Sequence, residues 1–128
     1  MIVGHGIDIM STERIRRTVQ SFGGQFLRRI YTPHERGFIG RRPAMSYEMF
    51  TTYWAVKEAA MKALGTGNRM GVRFMDIEVR HEMSGKPYIK LYGKAREYLD
   101  KLGATNIQVS MSHLEDIVVA SVIFESAS

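Results

Sequence analysis

Residues 46–64 constrain the fold more than any other stretch, because their helical pattern is apolar almost all the way round. At about 100° per residue, Phe50, Trp54 and Met61 share one face, with Tyr53, Ala60 and Leu64 beside it. The far side, Thr52, Ala55, Val56, Ala59 and Ala63, is small rather than hydrophilic. Such a helix has no face for solvent and must be covered on both sides. Only Lys57, Glu58 and Lys62 interrupt its second half, and Gly65-Thr66-Gly67 ends it. In 128 residues with a hydrophobic fraction of 45%, there is material for one core and little for a second. The expectation is a single domain over residues 1–128.

The flanking segments supply the cover. Residues 2–9 read as a strand in which Gly4 and Gly6 permit close backbone approach, with Asp8 towards its end. Ser11 or Thr12 can cap a helix to about Phe22, with Ile15, Val19 and Phe22 on its apolar side and Gly23-Gly24 as the stop. Residues 25–30 read as a second short helix, with Phe26 and Ile30 on one side. Thr32-Pro33-His34-Glu35 starts a third, with threonine as N-cap, proline in the first turn and glutamate completing a capping box. Met75, Ile77 and Val79 alternate with Asp76, Glu78 and Arg80 as in a half-buried strand. Met83-Ser84-Gly85-Lys86 turns that strand into another at 87–92, and a helix over 94–102 ends at Gly103. Ile107, Val109 and Met111 alternate with Gln108, Ser110 and Ser112, whereas 117–124 is apolar on both faces, as a central or interface strand is. Order is expected to weaken after Phe124. The class is α+β, a small, largely antiparallel set of three or four strands around one dominant helix.

Cysteine is absent, which removes disulfides, thiolate metal sites and thiol catalysis together. No apolar run approaches the roughly 18 residues of a membrane helix, and the first residues lack a basic leader followed by an apolar stretch. A soluble cytoplasmic protein is expected. The net charge of +5 is unevenly placed. Arg14, Arg16, Arg17, Arg28, Arg29, Arg36, Arg41 and Arg42 face only Glu13 and Glu35 between positions 11 and 42, and the remainder is close to neutral. A field concentrated this way draws an acidic partner, whether nucleic acid, anionic lipid or protein, although solvated helix faces give the same count.

Three features could carry chemistry: Asp8 at the end of the glycine-bearing strand; Lys57, Glu58 and Lys62 followed at once by Gly65-Thr66-Gly67; and Ser110-Met111-Ser112-His113 at a strand end. Carboxylates and lysines suit a magnesium-bound phosphate, because magnesium takes oxygen ligands and lysines neutralise the remaining charge. A glycine-rich turn lets backbone N–H groups approach the same phosphate. Each feature alone has a plainer reading. Glu58 and Lys62 make an i,i+4 ion pair worth about 0.3–0.5 kcal/mol. Gly65-Thr66-Gly67 serves as a helix C-cap, and Asp8 as an Asx turn. Lys57 is harder to dismiss, because it projects near the aromatic face where an aliphatic residue is usual.

Together the motifs resemble those of the holo-acyl-carrier-protein synthase family of 4'-phosphopantetheinyl transferases along nearly the whole chain. The resemblance lies in Gly6-Ile7-Asp8-Ile9 with Glu13-Arg14-Ile15, in residues 26–35, and most specifically in residues 54–67, which include Trp54, Lys57, Glu58, Lys62 and Gly65-Thr66-Gly67. Gly85-Lys86-Pro87 and Ser110-Met111-Ser112-His113 follow in the expected order. The resemblance implies a 4'-phosphopantetheinyl transferase-like α+β fold assembling as a homotrimer, with active sites between protomers. It implies transfer of phosphopantetheine from coenzyme A to a serine of an apo acyl carrier protein, for fatty acid or polyketide synthesis. Magnesium would be held by Asp8 and Glu58, and Lys62 would meet the leaving 3',5'-ADP. Glu58, through a water, is the candidate to take the serine proton. Coenzyme A contacts are expected from Lys57, Lys62, Gly65, Thr66, Gly67, Pro87, Ser110, Ser112 and His113. Arg14 and Arg17, with Arg28, are expected to grip the acidic carrier. Neither nucleic acid nor membrane is an expected partner.

Tyr53 departs from the family pattern, which often has arginine there. If that arginine contacts a phosphate, Arg41, Arg42 or Arg69 must replace it. A paralogue that binds coenzyme A without transferring is one alternative that Tyr53 raises. A basic RNA- or nucleotide-binding domain, stacking bases on Phe22, Phe26 and Tyr31, is another. His5, between the two early glycines, is expected to point into the sheet.

Overall fold

A computed structural model describes residues 1–127; Ser128, the last residue of the expected domain, lies outside them. Strand β1 (Ile2–Ser11) leads into three short helices, α1 (Thr12–Phe22), α2 (Gly24–Ile30) and α3 (Pro33–Gly40). The long helix α4 (Ser46–Leu64) follows a 3-10 turn at Pro43–Met45. Then come the hairpin β2 (Ile77–His81) and β3 (Pro87–Leu91), helix α5 (Gly93–Lys101), and the hairpin β4 (Ala104–Leu114) and β5 (Ile117–Ser126). The strands form two antiparallel sheets, β1-β5-β4 and β2-β3. The split into two sheets answers the demand made by α4. One three-stranded sheet covers one side of it, and the second sheet with α1 to α3 covers the other.

On the first side the approach is backbone to backbone. Gly4 and Gly6 lie on the face of β1 turned to α4, and a Cβ at either would overlap the carbonyl oxygen of Ala63 or Ala59. Val118, Ala120, Val122 and Phe124 of β5 are buried against the same helix. The small residues on that side of α4 are therefore the counterpart of the glycines. His5 projects from the opposite, exposed face of β1, away from this contact. Strand β5 is central, as its two apolar faces predict, and runs past Phe124 to Ser126, whose N–H bonds Met1 O at 2.8 Å.

On the second side Tyr31, Ile39, Ile77, Val79, Ile89 and Leu91 complete the core. Trp54 is only partly buried there, stacked between Phe26 and Phe74. Ser11 caps α1, and Thr32 with Glu35 forms the expected capping box on α3. Two local expectations change. Residues 74–76 form a 3-10 turn instead of the start of β2, because Asp76 accepts from Arg73 N at 3.0 Å and pairs with its guanidinium. Phe22 is 64% exposed, since α1 ends at Gly23 before it can reach the core.

The centre of the second side is an ion pair. Lys57 Nζ lies 2.8 Å from Glu35 Oε1, and both side chains are fully buried. Lys57 also donates to Phe74 O at 3.1 Å and to Ile77 O. Glu35 accepts from Thr32 N and from Val79 N at 2.7 Å. One pair thus ties α3, α4 and β2 together. Removing one partner of such a pair costs about 3–5 kcal/mol, because the other charge stays buried. Lys57→Met should therefore lose stability of that order in urea denaturation. Adding Glu35→Gln to it should restore part of the loss, and strictly additive costs would contradict the pairing.

Candidate functional site

The alternation of β1 determines which side chains meet α4. After Gly4 and Gly6, the next residue in that row is Asp8, while Ile7 and Ile9 face away and are 55% and 63% exposed. On α4, Glu58 and Lys62 each precede a small residue that lies under the glycines, so they emerge beside the strand. Lys62 Nζ donates to Ile7 O at 3.0 Å and to Asp8 Oδ1 at 3.1 Å. The expected ion pair along the helix is thus replaced by one across to the strand.

Asp8 and Glu58 come together at this edge. Burial, then the Asp8 charge, pushes the Glu58 carboxyl above the ordinary glutamate range, against the opposing pull of Lys62. Asp8 Oδ2 is buried and has no hydrogen-bond partner among the described residues. Two neighbouring carboxylates, one with an unused oxygen, are a donor set that suits a hard divalent cation. The same edge opens into a cleft of about 420 Å³ lined by Ile7, Asp8, Ile9, Lys62 and Val119.

The remaining candidates are dispersed. Lys57, expected to contact coenzyme A, is a correction: it is fully buried, its ammonium is spent on Glu35 and two carbonyls, and burial pulls its pKa down. The 65–67 turn is also corrected in part. The N–H groups of Gly65, Thr66 and Gly67 bond back to Lys62 O and Met61 O, so they cap α4 and are not free to cradle a phosphate. Gly65 has φ 80° and Gly67 φ 56°, conformations that favour glycine. Pro87 opens β3 on the second sheet. Ser110 and Ser112 are exposed on β4, two strands from β1. His113 Nδ1 lies 3.4 Å from Glu48 Oε1 at the start of α4. Glu48 and Glu58 are ten residues apart on that helix, which is about 15 Å of rise. Within one protomer, therefore, the Ser110–His113 motif does not meet the carboxylates.

Arg14 and Arg17 point outward from α1 and line a groove with Thr18, Ser21 and Phe22. Beside it lies an apolar groove formed by Phe22, Phe26 and Ile30. Arg28 is exposed on α2, next to a separate groove with Arg29 and Arg73. Sequence reasoning missed Asp116. In the β4–β5 turn it accepts from Ser11 Oγ at 2.6 Å and Glu13 N at 3.0 Å, fixing the start of α1. An aspartate between two strands signals only a turn, so nothing local marks this role. Tyr31, named as a base-stacking residue, is fully buried with its hydroxyl on Phe50 O at 2.6 Å, which removes it from any such platform. Arg42, a candidate phosphate contact, is occupied over the Phe38 ring.

A family model described as the 4'-phosphopantetheinyl transferase superfamily matches residues 4–121. A holo-acyl-carrier-protein synthase of Solibacter usitatus is 44% identical over 98% of this chain and 100% of its own length. The crystal structure of the Neisseria meningitidis holo-acyl-carrier-protein synthase superposes with TM-score 0.89 at 36% identity, covering 98% of this chain and 100% of that one. The Bacillus anthracis holo-acyl-carrier-protein synthase, in complex with CoA (3',5'-ADP), has TM-score 0.82 and 34% identity, with 99% of both chains covered.

The raised Glu58 carboxyl has a consequence for stability. A carboxyl raised on folding favours the folded state below its ordinary pKa of 4.5 and loses that contribution as pH rises through the raised value. In metal-free buffer at neutral pH, Glu58→Gln should therefore melt a few degrees above wild type, and the gain should vanish as pH falls below 4.5. Scanning calorimetry across that window checks it; a variant that melts lower at neutral pH would contradict it.

Proposed function

The chain belongs to the 4'-phosphopantetheinyl transferase superfamily, and from that premise we propose how its residues carry the reaction. Its activity is that of a holo-acyl-carrier-protein synthase, which transfers the 4'-phosphopantetheine group of coenzyme A to a serine of an apo acyl carrier protein. We assign the chemistry to Asp8, Glu58 and Lys62, within one transferase domain over residues 1–128. The observation that carries the assignment is the buried Asp8 Oδ2, unpartnered among the described residues, beside a Glu58 carboxyl that feels the Asp8 charge.

Asp8 and Glu58 would hold magnesium, which when bound neutralises charge on the coenzyme A pyrophosphate. The carrier serine oxygen bonds to the phosphorus bearing the pantetheine arm, and its proton passes through a water to Glu58. The bond from that phosphorus to 3',5'-ADP breaks, and Lys62, already at this edge with a half-exposed side chain, meets the charge on the leaving phosphate. Catalysis is then positioning and electrostatics, with no covalent enzyme intermediate.

Arg14 and Arg17 supply the docking surface for the acidic carrier, with Arg28 at its margin. Coenzyme A is met by Gly65, Thr66 and Gly67, approached without side chains at the two glycines, and by Pro87, Ser110, Ser112 and His113. Because the last four lie away from Asp8 in one protomer, we assign them to the site of a neighbouring copy in a homotrimer. The exposed Ile7 and Ile9, with Val119 alongside, give that neighbour an apolar face continuous with the carboxylate cleft. Among the described residues no helix is long and apolar enough to cross a membrane. This reading puts the protein in the cytoplasm, with its substrates.

Incubation with coenzyme A, Mg²⁺ and an apo acyl carrier protein should add one phosphopantetheine mass to the carrier, and chelation of the metal should stop it. Glu58→Gln should reduce the rate by about 100-fold or more; full activity in that variant would end the assignment. Charge reversal at Arg14 and Arg17 should raise KM for the carrier by about tenfold and flatten its salt dependence, leaving KM for coenzyme A unchanged. Sedimentation equilibrium should give three copies for wild type and fewer for Ile9→Glu.

A further inference from the structure

Tyr53 does not reach the carboxylate cleft. It is 2% exposed, and its hydroxyl lies 2.8 Å from His81 Nε2. His81 closes β2, and its Nδ1 is 3.2 Å from Gly85 O in the turn that follows. A carbonyl oxygen only accepts, so Nδ1 carries the hydrogen and Nε2 is left to accept from Tyr53. Two bonds thus select one neutral tautomer and one ring orientation. Phe38 of α3 stacks flat on the imidazole at 4.8 Å and 11°, and the Arg42 guanidinium lies 3.7 Å from the Phe38 centroid. Two residues before His81, Val79 N is anchored on Glu35. The turn itself closes through Glu82 N to Lys86 O at 2.9 Å and Gly85 N to Glu82 O at 2.8 Å, with Gly85 at φ 93°. At its tip it presents Gly85, then Lys86, which is exposed and has no ion pair among the described residues, then Pro87.

We propose that Tyr53 and His81 are positioning residues that set the shape of the 82–86 turn for coenzyme A, so that position 53 acts on the substrate at one remove. The proposal rests on the reading that Pro87, which follows this turn, contacts coenzyme A. A phenol hydroxyl bonded to an imidazole, and that imidazole bonded to Gly85 O, form a chain from the buried side of α4 to the 82–86 turn. Among the described residues nothing else bonds the Gly85 carbonyl to the body of the protein.

Tyr53→Phe removes one hydrogen bond and no volume of consequence. In ¹⁵N spectra of histidine-labelled protein, wild-type His81 should show two well-separated ring nitrogens of a fixed Nδ1–H tautomer, and the variant, still held by Gly85 O, should keep that tautomer with its Nε2 resonance shifted. KM for coenzyme A should rise about fivefold, the worth of one net hydrogen bond, with kcat and KM for the carrier unchanged. His81→Phe, which keeps the stack on Phe38 and loses both bonds, should raise KM at least as far. Averaged His81 nitrogens in wild type would overturn the proposal, and so would an unchanged KM in both variants. Wild-type protein that transfers nothing at all would instead overturn the transferase assignment, and the proposal with it.

Discussion

The contact on which the rest of the molecule depends is the bare backbone approach of β1 to α4. Two glycines facing two alanines let a strand lie directly on a helix, with no side chains between them. This distance makes Asp8 effective. A strand held off by ordinary side chains would leave an aspartate, with its single methylene, short of Glu58 and Lys62. Here it lies within 3.1 Å of the lysine. Burial of Glu58, and then the charge of Asp8, raises the Glu58 carboxyl, and packing elsewhere bears that cost.

The opposite flank of α4 explains how that cost is sustained. Lys57 is next to the site in sequence, yet it and Glu35 face away from the site. Their pair is fully buried; the other two Lys57 donors go to Phe74 O and Ile77 O, and Glu35 also accepts from Thr32 N and Val79 N. Buried pairs of this kind add little net stability over apolar packing but strongly penalise misalignment. Their effect here is to pin the rotation of α4 about its axis. Since Glu58 follows Lys57 directly, pinning one side chain aims the other.

The fold was largely legible, because its strongest signals were periodic. The all-round apolar helix, the Thr32 capping box, the glycine stops and the two-faced strand 117–124 each follow from local rules. Asp8, Glu58 and Lys62 were legible as candidates through motif spacing. What was not legible depends on direction and distance. Lys57 on an apolar helix reads as a ligand-binding lysine until its partner Glu35, twenty-two positions earlier, is seen beneath it. Gly65-Thr66-Gly67 reads equally as cap or cradle, and only the destinations of its N–H groups decide. Asp116 and His81 were passed over because their importance lies entirely in what they touch.

The short distance along β1 between chemistry and docking is the last consequence of this arrangement. Asp8 lies three residues before Ser11, which caps the helix bearing Arg14 and Arg17. No loop intervenes, and Asp116 clamps the junction by accepting from both Ser11 and Glu13. On the proposed assignment, the surface that grips the carrier and the carboxylate that meets its serine belong to one continuous, rigid segment. A carrier seated on α1 therefore has its reach to Asp8 determined by strand geometry, not by loop closure. That suits a transfer between two large partners, because positioning is the part of the barrier such an enzyme can lower before any bond changes. On the same assignment, the positive charge gathered at the start of the chain sits where attraction would deliver the serine to the proposed metal-binding pair.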